Sequence, residues 1–476
     1  MITPSSTKAK ILLIYSPDEI GVGEKRFKRV IDVFQPLGLG YIAAVLENSG
    51  YEVKIIDAKV EGLSAKEISG RVAQYNPAII GLGVSTPDFP VACSLARQIK
   101  SSGEYTIMIG GAHISALPEE TMQEACFDYG IVGEGERTVV ELADAILKGD
   151  RENIRQIKGL VFRDGSKIVR TPPREYIDDL DTLPFPARHL LPALNKYTGF
   201  YYKSSLLATI ITSRGCPYQC TFCDRAVFGN RVRMRSINNI LDEIEMLVKD
   251  YGVRSINIPD DLFTITAERI EEFCRQLLSR KLKISWSCFS RVDTVTPQML
   301  KTMKEAGCWM ICYGIESGSQ RILNAIKKNV TLEDTEKAIK WTHEAGILVL
   351  GVFILGVPGE NEETLRNTLS FAKKLPLYRV IFNTLQPLPG SEIYKIALQS
   401  GTLRKDIDYR YYHFYCFPEK LSFIAEGLTA DILKRYRRKA YRDFYLSPAY
   451  IFKRIFQYRE FKGFPRRMAF FLRAVS

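Results

Sequence analysis

Short aliphatic and β-branched runs recur along the first 145 residues, separated by stretches whose apolar positions return every three to four residues. Strands are expected at Ile11–Tyr15, Tyr51–Ile56, Ala78–Val84, Thr106–Ile109 and Tyr129–Val132, and helices at Leu37–Ser49 and Val91–Lys100. Strands that are apolar throughout, rather than alternating, are covered on both faces, so this pattern predicts a parallel, doubly wound sheet. Ligands of such sheets bind beyond the carboxyl ends of the strands. Those ends carry Ser85-Thr86, Gly110-Gly111-Ala112-His113 and Gly133-Glu134-Gly135. No GxGxxG follows the first strand, so a dinucleotide is not indicated.

The pattern changes after residue 148. Gln156–Arg170 reads as a hairpin turning at Asp164-Gly165, and Pro172, Pro173, Pro184 and Pro186 then mark an extended linker. A second α/β segment follows, with strands expected at Ala208–Ser213, Ser255–Pro259, Ile284–Cys288, Trp309–Ile315, Leu348–Phe353 and Val380–Leu385. Six strand–helix repeats suit an incomplete (β/α) barrel, whose chemistry sits at the carboxyl ends of its strands. The expected organisation is therefore 1–148 as a doubly wound domain, 149–200 as hairpin and linker, 201–395 as a partial (β/α)6 barrel, and 396–476 as a mainly helical end.

Composition adds little except at that end. The content is 46% hydrophobic and 25% charged, ordinary for a globular chain. No secretion signal opens the sequence and no apolar run suits a membrane span, so a cytoplasmic location is expected. Of the net charge of +12, most lies between Asp431 and Ser476, where 13 Lys or Arg face 3 acids. Aromatic residues interleave these cations, and Ile451, Phe452, Ile455 and Phe456 fall at helical spacing. Such a helix suits peripheral contact with an anionic bilayer or packing onto the barrel with its cations in solvent; nucleic acid is the less favoured partner.

Seven of the ten cysteines (93, 126, 274, 288, 308, 312 and 416) are scattered among apolar residues and read as small buried side chains. Cys216, Cys220 and Cys223 are different. They form CxxxCxxC directly after the first barrel strand, with no further Cys or His between Asp224 and Arg235 to complete a structural zinc site. Three thiolates on one loop suit three irons of a cubane and leave the fourth open.

With Phe222 as the aromatic in CxxxCxΦC, this segment resembles the signature of the radical S-adenosylmethionine (SAM) superfamily. The resemblance spans about residues 205–390, and it implies a [4Fe–4S] cluster on the three cysteines. It further implies that the open iron holds the amino and carboxylate groups of SAM, whose reductive cleavage releases a 5′-deoxyadenosyl radical. By the same resemblance Asp260 and Asp261 stand where the family meets the SAM amino group, although the family's Gly-Gly-Glu is absent here and a helix-cap role competes. Glu316 and Ser317 match the segment facing ribose and the amino acid moiety, while Ile354 and Gln386 match the adenine walls. Arg291, ending the third strand, suits the SAM carboxylate or a surface salt bridge.

A doubly wound domain ahead of this signature resembles the cobalamin-binding domain of B12-dependent radical SAM enzymes. Ser85, Thr86, Gly110, Gly111, His113, Gly133, Glu134 and Gly135 are the implied cobalamin contacts. DxHxxG is missing, so no histidine from this domain is expected beneath cobalt, and His113 is expected to hydrogen-bond the corrin edge or backbone. The implied activity is cobalamin-dependent methylation of an unactivated carbon. The alternative is cobalamin-dependent cyclisation, rearrangement or oxidation of a lipid, tetrapyrrole or natural-product intermediate. A small-molecule or lipid-like substrate and a flavodoxin- or ferredoxin-type electron donor are the partners this implies.

Overall fold

The computed structural model describes residues 8–17, 33–197, 206–404, 406–412, 420–452 and 454, and these divide into two units. The first unit takes the described residues up to 197 and also Asp224–Arg235; the second takes 206–223 and the described residues from Ser236 onward. His413, Cys416, Lys453, Ile455, Phe456 and the remaining residues to 476 lie outside the described residues.

The first unit is built on β1 (Lys10–Tyr15), β2 (Glu52–Asp57), β3 (Ile79–Gly83), β4 (Thr106–Gly110), β5 (Tyr129–Ile131), β6 (Leu160–Asp164) and β7 (Lys167–Arg170). Their order is β2-β1-β3-β4-β5-β6-β7, parallel through β5. Helices α1 (Leu37–Asn48), α2 (Ala65–Tyr75) and α3 (Phe89–Ser102) connect parallel strands, and α4 (Glu136–Lys148) leads from β5 to the antiparallel β6. The continuous apolar runs are indeed buried: Ile11, Leu12, Leu13 and Ile14 are each at most 1% exposed. At about 1.5–3 kcal/mol per buried aliphatic side chain, these strands drive formation of the unit.

The hairpin forms as β6 and β7 but does not stand apart with the linker. It extends this sheet, with Tyr129 opposite Phe162 and Ile131 opposite Leu160 in antiparallel register. An isolated two-stranded hairpin is marginal in water, and pairing with β5 buries Leu160, Val161 and Phe162.

The second unit is an open barrel of six parallel strands: β8 (Leu207–Thr209), β9 (Ser255–Ile258), β10 (Ser285–Ser290), β11 (Cys308–Glu316), β12 (Leu348–Leu355) and β13 (Arg379–Thr384), in sequential order. The intervening helices include α5 (Ile237–Tyr251), α6 (Ala267–Ser279), α7 (Pro297–Glu305), α8 (Leu332–Glu344) and α9 (Glu362–Lys374). Side-chain caps start each of them: Ser236, Thr266, Thr296, Thr331 and Asn361 all accept from a backbone N–H one turn on.

An open barrel leaves strand edges with unpaired backbone groups. At β13 the edge is covered by α10 (Ala430–Tyr445). The Val380 N–H donates to the Tyr445 hydroxyl at 3.1 Å, and that hydroxyl donates to the Val380 carbonyl at 3.0 Å. The Phe382 N–H donates to Tyr441 in the same way at 3.0 Å. Leu433, Tyr436, Ala440, Tyr441 and Phe444 are buried, whereas Arg435, Arg438, Lys439 and Arg442 are exposed. Over this part of the basic end, the apolar stripe packs on the barrel and these four cations face solvent. Among the described residues no helix is long and apolar enough to cross a membrane.

Candidate active site

The cysteine loop leaves β8 through Thr212, Ser213 and Gly215, and two acids beyond β9 pin this stem. Asp260, 2% exposed, accepts from the Thr212 N–H at 2.8 Å, from the Ser213 hydroxyl at 2.8 Å and from the Thr212 hydroxyl. Asp261 accepts from the Gly215 N–H at 3.2 Å. Burial pushes the Asp260 carboxyl up to about 6 against the pull of the Thr212 and Ser213 donors, and burial raises Asp261 as well. Further along, the Thr221 N–H donates to the Ile326 carbonyl at 3.0 Å and its carbonyl accepts from Ile393 at 3.0 Å. Neither acid is an ordinary helix cap; both hold the stem of the loop.

On this braced loop Cys220 is buried, Cys216 half-buried and Cys223 exposed, none of them in a disulfide. Among the described residues, the one group of His, Cys, Asp and Glu ligand atoms lying within 4.8 Å of one another is Cys93, Glu124 and Cys126, not the loop cysteines. Three thiolates on one loop, one per iron, are the soft donors that an iron–sulfur cubane takes. The donor set therefore fits a [4Fe–4S] cluster. Cys93 and Cys126 are buried, as expected of small apolar side chains, and Glu124 is ion-paired with Arg97.

The other barrel candidates cluster at the same strand ends but carry different loads. Arg291, 5% exposed, is bidentate on Asp293 and lies 3.5 Å over the ring of Tyr218, within the cysteine loop. It is a buried group and not a surface salt bridge. Glu316 ends β11 just past a register shift against β12, and its φ of 66° is rare for a side chain of that size. Its carboxylate accepts from the Lys328 ammonium at 2.8 Å, and both side chains are 7% exposed or less. A bulge and a strained residue that together turn one carboxylate into a buried ion pair mark a positioned group. Ser317 shares a hydrogen bond with Thr368 at 3.1 Å. Ile354 is buried and Phe222 half-buried. The side-chain oxygen of Gln386 accepts from the Ser422 N–H at 3.0 Å and from the Ser422 hydroxyl at 2.7 Å, tying the end of β13 to the segment before α10.

In the first unit Thr86, Gly110, Gly111, His113 and Gly133 gather at the carboxyl ends of β3, β4 and β5. The Val84 N–H donates to Gly110 at 2.8 Å, and the Gly133 N–H to the Ser115 hydroxyl at 2.9 Å. Gly111 has φ 110°, and a Cβ there would lie 2.6 Å from the Val84 carbonyl oxygen, so only glycine fits. His113 is fully buried, stacked on Phe89 at 4.0 Å between ring centres, with Nδ1 3.4 Å from the Thr86 hydroxyl. Burial pushes it down to about 4, so it is neutral at physiological pH. Ser85 donates to Asp88 at 2.5 Å. Glu134 points elsewhere: it accepts from the Ile177 N–H at 2.8 Å and from Arg233 at 2.6 Å, in an ion pair 3% exposed on each side. Gly135 immediately precedes α4. The glycine-lined ends of a sheet whose order reverses at β1 fit a large flat ligand held by backbone.

Lys328, Tyr218, Asp293 and Arg233 belong to these arrangements although the sequence reading passed over them. Lys328 lies in a Lys327-Lys328-Asn329 run that reads as solvated charge; only its burial separates it from its neighbour. Tyr218 stood within the signature and was the one visible clue.

Comparison with known proteins places the chain in a family. The Radical SAM superfamily profile matches residues 210–372 and the B12 binding domain profile residues 29–143. The chain is 34% identical to "Uncharacterized methyltransferase PH0819" of Pyrococcus horikoshii, over 95% of this chain and 96% of that protein. It is 30% identical to cytidylyl-2-hydroxyethylphosphonate methyltransferase of Streptomyces wedmorensis, over 77% and 78%. Its fold is similar to that of the radical SAM methyltransferase TsrM from Kitasatospora setae, with a TM-score of 0.69 at 19% identity, covering 90% of this chain and 85% of that one.

Proposed function

Since the chain belongs to the radical SAM superfamily, in the form that carries a B12-binding domain ahead of the barrel, we propose that it methylates an unactivated carbon of a small-molecule or lipid-like substrate. The reading assigns Cys216, Cys220 and Cys223 to a [4Fe–4S] cluster, Glu316, Ser317 and Ile354 to SAM, and Thr86, Gly110, Gly111 and Gly133 to cobalamin. With both cofactors bound, the cluster and SAM supply the radical, and cobalamin supplies a transferable methyl group that an sp3 carbon cannot take by nucleophilic attack.

The protein's own share is positioning. Asp260 and Asp261 hold the stem of the cysteine loop, and Thr221 fixes its middle through both backbone groups. Lys328 holds Glu316 in one direction, so the carboxylate meets an ammonium or hydroxyl of a ligand without reorganising. Gly111 lets the end of β4 pack against the backbone of Val84, where a Cβ would meet the carbonyl oxygen at 2.6 Å. The observation that carries the proposal is the braced loop with three cysteines at the mouth of a parallel barrel. Asp260 and Asp261 enter the reading as supports of that loop, Gln386 as a tie to Ser422, and Glu134 as a partner of Arg233.

The test is anaerobic incubation of iron-reconstituted protein with dithionite, SAM and methylcobalamin. Both 5′-deoxyadenosine and S-adenosylhomocysteine are expected. The first without the second would reject methyl transfer in favour of another cobalamin-dependent radical reaction.

A further inference from the structure

Arg291 has more partners in the cysteine loop than a SAM-binding arginine requires. Its Nε donates to Asp293 at 2.9 Å, and one Nη donates both to Asp293 at 3.0 Å and to the Lys328 carbonyl at 2.7 Å. The other Nη points at Cys220, with its nitrogen 3.8 Å from the sulfur. The flat face of the guanidinium lies over Tyr218, two residues from that cysteine, at 3.5 Å. Bidentate anchoring and stacking leave this group one orientation, and burial at 5% exposure removes the water that would compete for the sulfur. The same residue is thus fixed on one side by the segment after β10 and on the other grips the loop at two points.

We propose that Arg291 is the outer partner of the iron–sulfur cluster. It positions Cys220 and raises the reduction potential of the cluster by donating a charge-assisted hydrogen bond to the Cys220 thiolate. The inference rests on the reading that the three thiols hold a [4Fe–4S] cluster. Its physics is simple: the one-electron-reduced cluster carries more negative charge on its sulfurs, so a fixed cationic N–H stabilises the reduced state more than the oxidised one. Arg291 touches neither substrate nor the reacting atoms in this role. Because its donors are directed at Asp293, Lys328 and Cys220, it acts through the cluster rather than as the SAM carboxylate clamp.

The experiment compares full-length wild-type protein with Arg291→Met and Arg291→Gln after anaerobic reconstitution. Iron and sulfide content are measured, and the cluster potential is followed by electron paramagnetic resonance during redox titration. Both variants are expected to retain the cluster at a lower potential. At a fixed ambient potential the ratio of reduced to oxidised cluster should fall about tenfold, which for one electron corresponds to about 59 mV. Variants that keep the cluster and titrate at the wild-type potential would overturn the inference. So would loss of the cluster from both variants with their circular dichroism unchanged, since Arg291 would then be a purely structural clamp. If wild-type protein itself takes up no cluster, the underlying reading fails instead.

Discussion

The two sets of strand ends solve the same problem, holding a ligand beyond a parallel sheet, with opposite materials. At β3, β4 and β5 the site is made mainly of glycines and a neutral histidine, its buried Asp88 is tied to Lys59 at 2.7 Å, and the buried pair Glu134 with Arg233 turns away to fasten other segments. At β8 to β12 it is made of charge: buried Asp260 and exposed Asp261 under the cysteine loop, the buried pair of Glu316 with Lys328, and buried Arg291 held by the more exposed Asp293. A ligand recognised by shape needs backbone to come close and any charge beside it already paired within the protein. A site that moves an electron and orients a zwitterion needs fixed charges in a water-poor setting, each paired so that its burial is tolerable. The first unit should therefore be sensitive to added atoms, and the second to removed partners.

The largest effect on this contrast comes from Lys328→Met. It leaves the Glu316 carboxylate buried without its ammonium, and a cost of about 3–5 kcal/mol is expected in chemical denaturation. The double variant with Glu316→Gln should recover much of it. Recovery would separate the charge effect from simple loss of packing.

Acid should act next, and on the first unit. The His113 imidazole takes a proton near 6.5 when unfolded but only near 4 when folded, because burial opposes the charge. Its contribution is full above about pH 6.5 and is lost as pH falls toward 4, a decline of about 3 kcal/mol. His113→Asn should be less stable at neutral pH yet flatter in stability across that window. A wild-type profile as flat as the variant's would contradict the buried neutral histidine.

Gly111→Ala should have the smallest effect of the three, about 1–3 kcal/mol, because it forces a Cβ against the Val84 carbonyl at a positive φ. Its useful readout is selectivity: cobalamin uptake, followed by visible absorption, should fall while iron uptake stays at the wild-type level. Equal loss of both would erase the contrast between shape and charge.

Periodicity made the architecture legible. Unbroken apolar runs such as Ile11–Ile14 can be satisfied only between two layers, and six strand–helix repeats leave few alternatives to an open barrel. The cysteines were legible because soft ligands at that spacing have few other uses. What escaped was pairing across long separations. The place of β6 on the first sheet depends on register with β5, which no local pattern reports. Asp260 and Asp261 were visible as acids at a strand end, but their service to Thr212 and Gly215, about 48 residues earlier, was not. Lys328 looked like any surface lysine until Glu316 was placed beside it. The basic end divided in the same way: a stripe of Leu433, Tyr436, Ala440 and Tyr441 suits a bilayer or a barrel equally in one dimension, and the bare edge of β13 decides for the barrel.

One measurement bears on all of this: the electron paramagnetic resonance spectrum of anaerobically reconstituted, dithionite-reduced protein, with and without SAM. A reduced [4Fe–4S] signal holding four irons per chain is expected, altered by SAM and absent when Cys216, Cys220 and Cys223 are all replaced by alanine. A wild-type protein that takes up no such cluster, or a triple variant that still shows it, would contradict the account.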